Sequence, residues 1–255
     1  MTIEEYFGKW TNVIPMREIQ NITMALKKAV KPVCPALKDV FRSFEVCPYD
    51  HLKVVVIGQD CYADTRNGKP VATGVAFANS KDTPSENYSP SLKVLMDSFI
   101  DFSISRDRVN FDPTLEDISR QGVLFINTAL TCETGKPGSH MLLWRPFITA
   151  FLDNLSRNKA SIIYVLLGSE AQSLKDHIDT AYNYILTDKH PAYYARLKMS
   201  MPNGIWKSVN DIIRSINGKH EEIKWFQEEH TAQEQDCERQ QDKEQESEEC
   251  YSDDL

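Results

Sequence analysis

From Leu52 to Ile57 the chain reads Leu-Lys-Val-Val-Val-Ile, with four consecutive branched apolar residues from Val54 onward. Branched side chains crowd a helix but fit a pleated strand. A strand with one wet face alternates polar and apolar residues, and this one does not, so it is buried on both faces. Such a strand belongs inside a parallel sheet covered by helices on each side. The run stops at Gly58 and gives way to Gln59 and Asp60. In open α/β sheets ligands sit beyond the carboxyl ends of the strands, so Asp60 stands where chemistry happens. Taken alone, an acid one residue after a glycine is more often a turn or cap residue. The rest of the chain must decide between the two.

Three further apolar runs resemble the first: Val123 to Ile126, Ser161 to Leu167 and Tyr182 to Leu186. Helical periodicity separates them. Met16 to Val30 carries a broad apolar side and is followed by Pro32 and Pro35, which cannot continue a helix. Ala36 to Phe44 reads as a short helix with Leu37, Val40, Phe41 and Phe44 inward. Pro90 stands where a helix starts, ahead of Leu92, Leu95, Met96 and Phe99. Leu115 to Gln121, Leu143 to Leu155, Gly168 to His177 and Gly204 to Ile216 complete the set. The predicted fold is a three-layer α/β/α arrangement around a four-stranded, mainly parallel sheet. Each strand is followed by polar groups: Gln59-Asp60, Asn127, Gly168-Ser169 and His190. In a parallel sheet those ends share one edge, so a carboxylate, an amide, a hydroxyl and an imidazole converge on one cleft.

The 255 residues carry a net charge of −8, which at face value disfavours nucleic acid. The distribution reverses this. Residues 227–255 hold twelve acids and two bases, leaving 27 bases and 25 acids in residues 1–226. We therefore expect one domain over 1–226, with a helical N-terminal part at 1–32, and an acidic, disordered tail at 227–255. Charge runs are usually solvated, so the tail reads as solubilising, with a protein partner as the alternative. Cys34, Cys47, Cys61, Cys132, Cys237 and Cys250 show no Cys-x-x-Cys spacing, which signals neither a disulfide framework nor a zinc site. With no 18-residue apolar stretch and no basic-then-apolar leader, the expectation is a cytoplasmic protein that is neither secreted nor membrane-bound.

These residues resemble family 1 uracil-DNA glycosylases. Gly58-Gln59-Asp60-Cys61-Tyr62 is similar to that family's Gly-Gln-Asp-Pro-Tyr-His. Gly74-Val75-Ala76-Phe77 resembles its Gly-Leu-x-Phe, and Pro90-Ser91-Leu92 its Pro-Pro-Ser-Leu. Gly122 to Thr131 resembles Gly-Val-Leu-Leu-Leu-Asn-x-x-Leu-Thr. Ser139-His140 with Trp144 and Phe147, Gly168-Ser169-x-Ala171-Gln172, His190-Pro191 and Ile223-Lys224-Trp225 come after these in order. The likeness covers roughly residues 33–226. It implies hydrolysis of the bond between uracil and deoxyribose in single- or double-stranded DNA, on a nucleotide extruded from the stack. It implies no metal and no cofactor.

The resemblance also implies roles. Asp60 and His190 are the catalytic pair, the acid positioning water and facing a sugar cation, the histidine donating to uracil O2. Asn127 reads the base edge, Phe77 stacks on the ring, and Tyr62 excludes the methyl of thymine. Gln59 contributes its backbone amide. Ser91 and Ser169 hold phosphates, and Tyr194 occupies the place of an apolar wedge that enters the base stack. There are departures. Cys61 and Ala63 replace the family's proline and histidine, Ala192 and Tyr193 replace a serine and a proline, and the loop between Asp60 and Phe77 is about four residues longer. A divergent, viral or phage-type member would then reside in a host's cytoplasm or nucleus. Two alternatives accompany the uracil reading: a glycosylase of this fold acting on another modified base, and a weakly active DNA-binding or replication-partner module.

Overall fold

In the computed structural model, residues 2–28, 30–100 and 109–228 are described. Four strands form the central sheet: β1 (Val54–Asp60), β2 (Val123–Ala129), β3 (Ile163–Leu167) and β4 (Tyr184–Asp188). Their order is β2-β1-β3-β4, and every pairing is parallel. The Leu52–Ile57 run thus supplies an interior strand with Val54, Val55, Val56 and Ile57 all fully buried.

Alternation of side chains along each strand sends the two faces into separate cores. Val55, Ile57, Leu124, Ile126, Tyr164 and Leu166 pack with the helix α3 (Met141–Asn158) and with Trp10, Ile19 and Ile22 of the N-terminal segment. Helix α1 (Met16–Lys27) belongs to this layer. Val54, Val56, Val123, Phe125, Ile163 and Val165 pack against α2 (Pro90–Phe99) and α5 (Gly204–Asn217), with Trp206 and Trp225. The result is the α/β/α sandwich expected from the sequence.

Several boundaries differ from expectation. Helix α1 stops at Lys27, and Val30 is 99% exposed, so the apolar side is narrower than the periodicity implied. Ala36 to Phe44 is not one helix. A 3₁₀ turn at Leu37–Asp39 precedes a helix at Arg42–Val46, and Leu37 is exposed rather than inward. The expected helix from Gly168 to His177 is a single turn at Ser169–Gln172 followed by a 3₁₀ turn at Lys175–His177. Strand β4 lies two residues later than predicted. Residues 229–255 of the expected tail lie outside the described residues.

Candidate active site

Strand ends build the site. Asp60 is the last residue of β1 and is paired in register with Ala129, while Gly58 is paired with Asn127. His190 comes shortly after β4 and caps helix α4 (Pro191–Leu197). Asp60, Tyr62, Phe77, Ser91, Asn127 and His190 line a single pocket, walled further by Cys61, Ala72, Val75 and Leu130. Six of the nine residues singled out from the sequence therefore meet in one place.

The Asp60 carboxylate is partly buried, and burial holds its pKa above the ordinary range, opposed by the Gly138 N–H that donates to Oδ2 at 2.5 Å. Gly138 sits in a loop fixed by a relay. The indole Nε1–H of Trp144 donates to Thr131 Oγ1 at 2.7 Å, and that hydroxyl is 2.9 Å from His140 Nδ1.

His190 accepts the Ala192 N–H on Nδ1 at 3.1 Å. A nitrogen that accepts carries no proton, so the neutral ring carries its proton on Nε2. Burial, with a smaller contribution from the Arg196 charge, pushes its pKa down to about 4. At neutral pH the ring is an uncharged donor. Gly168, at φ +93°, allows this packing: a Cβ there would lie 2.9 Å from His190 Cβ.

Asn127 is 8% exposed, and among the described residues nothing hydrogen-bonds to its side-chain amide. Its donor and acceptor are both open to a ligand. Phe77 has φ +68°, a left-handed conformation that costs a non-glycine residue of order 1 kcal/mol. The Tyr62 hydroxyl donates to the Phe77 carbonyl at 2.8 Å and holds it there. The Phe77 ring lies 5.5 Å from the His190 ring.

The remaining three residues fall outside the pocket lining. Gln59 has an exposed side chain, and its carbonyl accepts from Thr128 Oγ1 at 2.5 Å. Ser169 is exposed and adjoins the Gly168 that packs on His190. Tyr194 corrects the expectation of a wedge. It is 8% exposed, packs in the core with α2 and α5, and donates its hydroxyl to Asp188 at 2.7 Å. The turn of α4 directs it inward, so only a small part of its surface is exposed. Tyr193 is half-buried, with the Lys189 ammonium 4.1 Å over its ring.

Gly58 was legible only as a strand terminator, yet it leaves room for two side chains that line the pocket. A Cβ there would lie 2.5 Å from Asn127 Oδ1 and 2.6 Å from Phe77 Cζ. Cys61, in place of a proline, turns its thiol away into a small cluster, 3.2 Å from Cys132 Sγ and 3.0 Å from the Cys34 carbonyl. Among the described residues no group of three His, Cys, Asp or Glu side chains is placed to hold a metal. No helix among them is long and apolar enough to cross a membrane.

Residues 44–213 match the family model described as the uracil DNA glycosylase superfamily. A uracil-DNA glycosylase of Coxiella burnetii is 34% identical over 178 residues, covering 69% of this chain and 73% of its own. One from Aliarcobacter butzleri is 30% identical over 221 residues, covering 86% and 94%. In fold, a single-residue variant of mimivirus UNG solved in complex with UGI superimposes with a TM-score of 0.70 at 23% identity, over 88% of each chain. The family match over two thirds of the sequence, together with these relatives, shows that the chain belongs to the uracil DNA glycosylase superfamily.

Proposed function

We propose that this protein excises uracil from DNA by hydrolysing the bond between the base and deoxyribose, leaving an abasic site for base-excision repair. The observation that carries the reading is one pocket holding an acid, a neutral imidazole donor and an unpaired amide beside an aromatic ring.

The chemistry is governed by charge. As the C1′–N1 bond breaks, its electron pair goes to the base and positive charge grows on the sugar. The Asp60 carboxylate stabilises that cation, and partial burial strengthens the interaction. Water adds at C1′ and passes a proton to Asp60. The His190 Nε2–H donates to the base oxygen on which negative charge develops, and a neutral ring does this without itself being a strong acid. The Asn127 amide offers a donor to O4 and an acceptor to N3–H, a pattern that cytosine cannot meet. Tyr62, anchored through its hydroxyl, presents its ring to the C5 side and rejects the thymine methyl by collision. Ser91 and Ser169 hold the phosphates that flank the extruded nucleotide. No step draws on a metal or cofactor. Membership of family 1, action as a monomer and residence in a reducing compartment belong to the same proposal, as does a partner for the acidic tail.

The test is release of free base from uracil-, thymine- and modified-pyrimidine oligonucleotides. Wild type releasing no uracil would overturn the reading. Asp60→Asn should lower the rate by about 10²–10⁴-fold, and an unaffected rate would remove Asp60 from its role. Tyr62→Ala should release thymine where wild type does not.

A further inference from the structure

The lengthened stretch after Asp60 has its own structure. Thr65–Arg66 and Lys69–Pro70 form an antiparallel hairpin with Thr65 opposite Pro70 and Arg66 opposite Lys69. Asn67 and Gly68 close it with φ of +51° and +74°. Two successive left-handed residues make the primed two-residue turn that suits strand twist. The Val71 N–H donates to the Asp64 carbonyl at 2.9 Å and extends the ladder. This is a defined hairpin, not slack chain.

Its position matters. Asp60, Cys61 and Tyr62 enter it, and Ala72, Gly74 and Val75 leave it, and all six line the pocket. The hairpin therefore rises directly from the pocket mouth, and residues 64–69 are exposed. The Arg66 guanidinium donates to the Asn87 carbonyl at 2.9 Å. That anchors the hairpin to the turn leading into Ser91.

Its charges are arranged unfavourably for the free protein. Arg66 and Lys69 face each other directly, and like charges in that position destabilise a strand pair. Arg66 bonds a neutral carbonyl. Among the described residues the Lys69 ammonium has no partner. Asp64, at the base, is the one acid within the hairpin. A linear polyanion passing the pocket would relieve the pair, and a DNA strand threading its extruded nucleotide into the pocket is such a polyanion.

We propose that the 65–70 hairpin is a DNA-gripping arm. Lys69 and Arg66 hold the phosphodiester strand beside the extruded nucleotide and position it over the pocket. The proposal rests on the glycosylase reading above, and its test is a binding measurement that needs no turnover. The probe is a fluorescent single-stranded oligonucleotide, its anisotropy read between 50 and 200 mM salt. On single strands each phosphate contact contributes about 0.7 to the slope of log affinity against log salt. Over a fourfold salt range that is about threefold in affinity per cation. Lys69→Ala should weaken binding at 50 mM salt and flatten the slope by about one contact, and Lys69→Glu should weaken it further. Neither variant should unfold below the wild-type temperature, since Lys69 is exposed and both changes remove its repulsion with Arg66. Unchanged affinity and slope in both variants would overturn the arm, including the case in which the cations instead serve an acidic protein. Normal DNA binding by wild type without base release would overturn the glycosylase reading and leave the arm standing.

Discussion

Replacing Gly58 with alanine adds one methyl group against Asn127 and Phe77, two side chains that line the pocket. The backbone there is extended, without a positive φ, so alanine fits the strand conformation. The added Cβ would meet Asn127 Oδ1 at 2.5 Å and Phe77 Cζ at 2.6 Å. Ordinary carbon–oxygen and carbon–carbon contacts are about 3.3 Å and 3.5 Å. The amide and the ring must each retreat by about 0.8–0.9 Å, away from the positions in which they would meet the base. Overpacking costs about 1–3 kcal/mol, against about 0.5–1 kcal/mol gained by removing a strand glycine. The net loss of stability is about 2.5 kcal/mol or less, and the fold survives. Catalysis loses more. Displacing a recognition group by about 1 Å costs about 10²-fold, or about 2.7 kcal/mol of transition-state stabilisation. Steady-state uracil release by Gly58→Ala should therefore show kcat/KM down about 100-fold, with a melting temperature lowered by a few degrees. A kcat/KM within threefold of wild type would refute the claim that the base occupies the space between Asn127 and Phe77.

The same geometry sets two further outcomes. His190 titrates near 4 when folded and near 6.5 when unfolded, so between those values the unfolded chain binds more protons and stability rises with pH. The burden is absent above 6.5 and grows to at most about 3 kcal/mol as pH falls to 4. Urea denaturation at pH 5.0 and 7.5 should show a smaller pH difference for His190→Gln than for wild type, and an equal difference would refute the buried neutral ring. Tyr194→Ala should cost about 3 kcal/mol of stability, as expected for emptying a buried aromatic site. Tyr193→Ala should cost less stability than Tyr194→Ala, because its ring is only half-buried, and should weaken binding to uracil-containing DNA. The reverse pattern would restore Tyr194 as the residue that meets the stack.

The layered fold was legible because buried parallel strands announce themselves: Val54 to Ile57 and Ile163 to Leu167 have no polar residue to place on a wet face. The cleft was legible from the polar residues just beyond those strands, since parallel pairing carries every strand end to one edge. Ends of helices were less legible. Val30 fits an apolar period, but the helix has already ended at Lys27, and Leu37 lies in a short 3₁₀ turn that leaves it exposed. Tyr194 shows the limit of alignment by motif. Position after His190 identifies a residue, but which side of a short helix it occupies depends on one further residue of helical rotation. Gly58 is recognisable in the sequence as the end of a strand, whereas its contribution is space, which becomes visible only once the side chains of Asn127 and Phe77 are placed. The Gly138 amide left no sequence signal beyond a loop glycine, because any residue other than proline supplies an N–H.

The register of β1 with β2 has an evolutionary consequence. The acid and the amide proposed to read the base stand two ladder positions apart on neighbouring strands, Gly58 opposite Asn127 and Asp60 opposite Ala129. Their separation is set by backbone hydrogen bonds that are indifferent to side-chain identity. On the roles proposed above, substitutions at 127, or at the flanking 62 and 77, would retune which base is accepted while the acid stays where it is. Selectivity can drift across a lineage without the hydrolytic geometry being rebuilt each time.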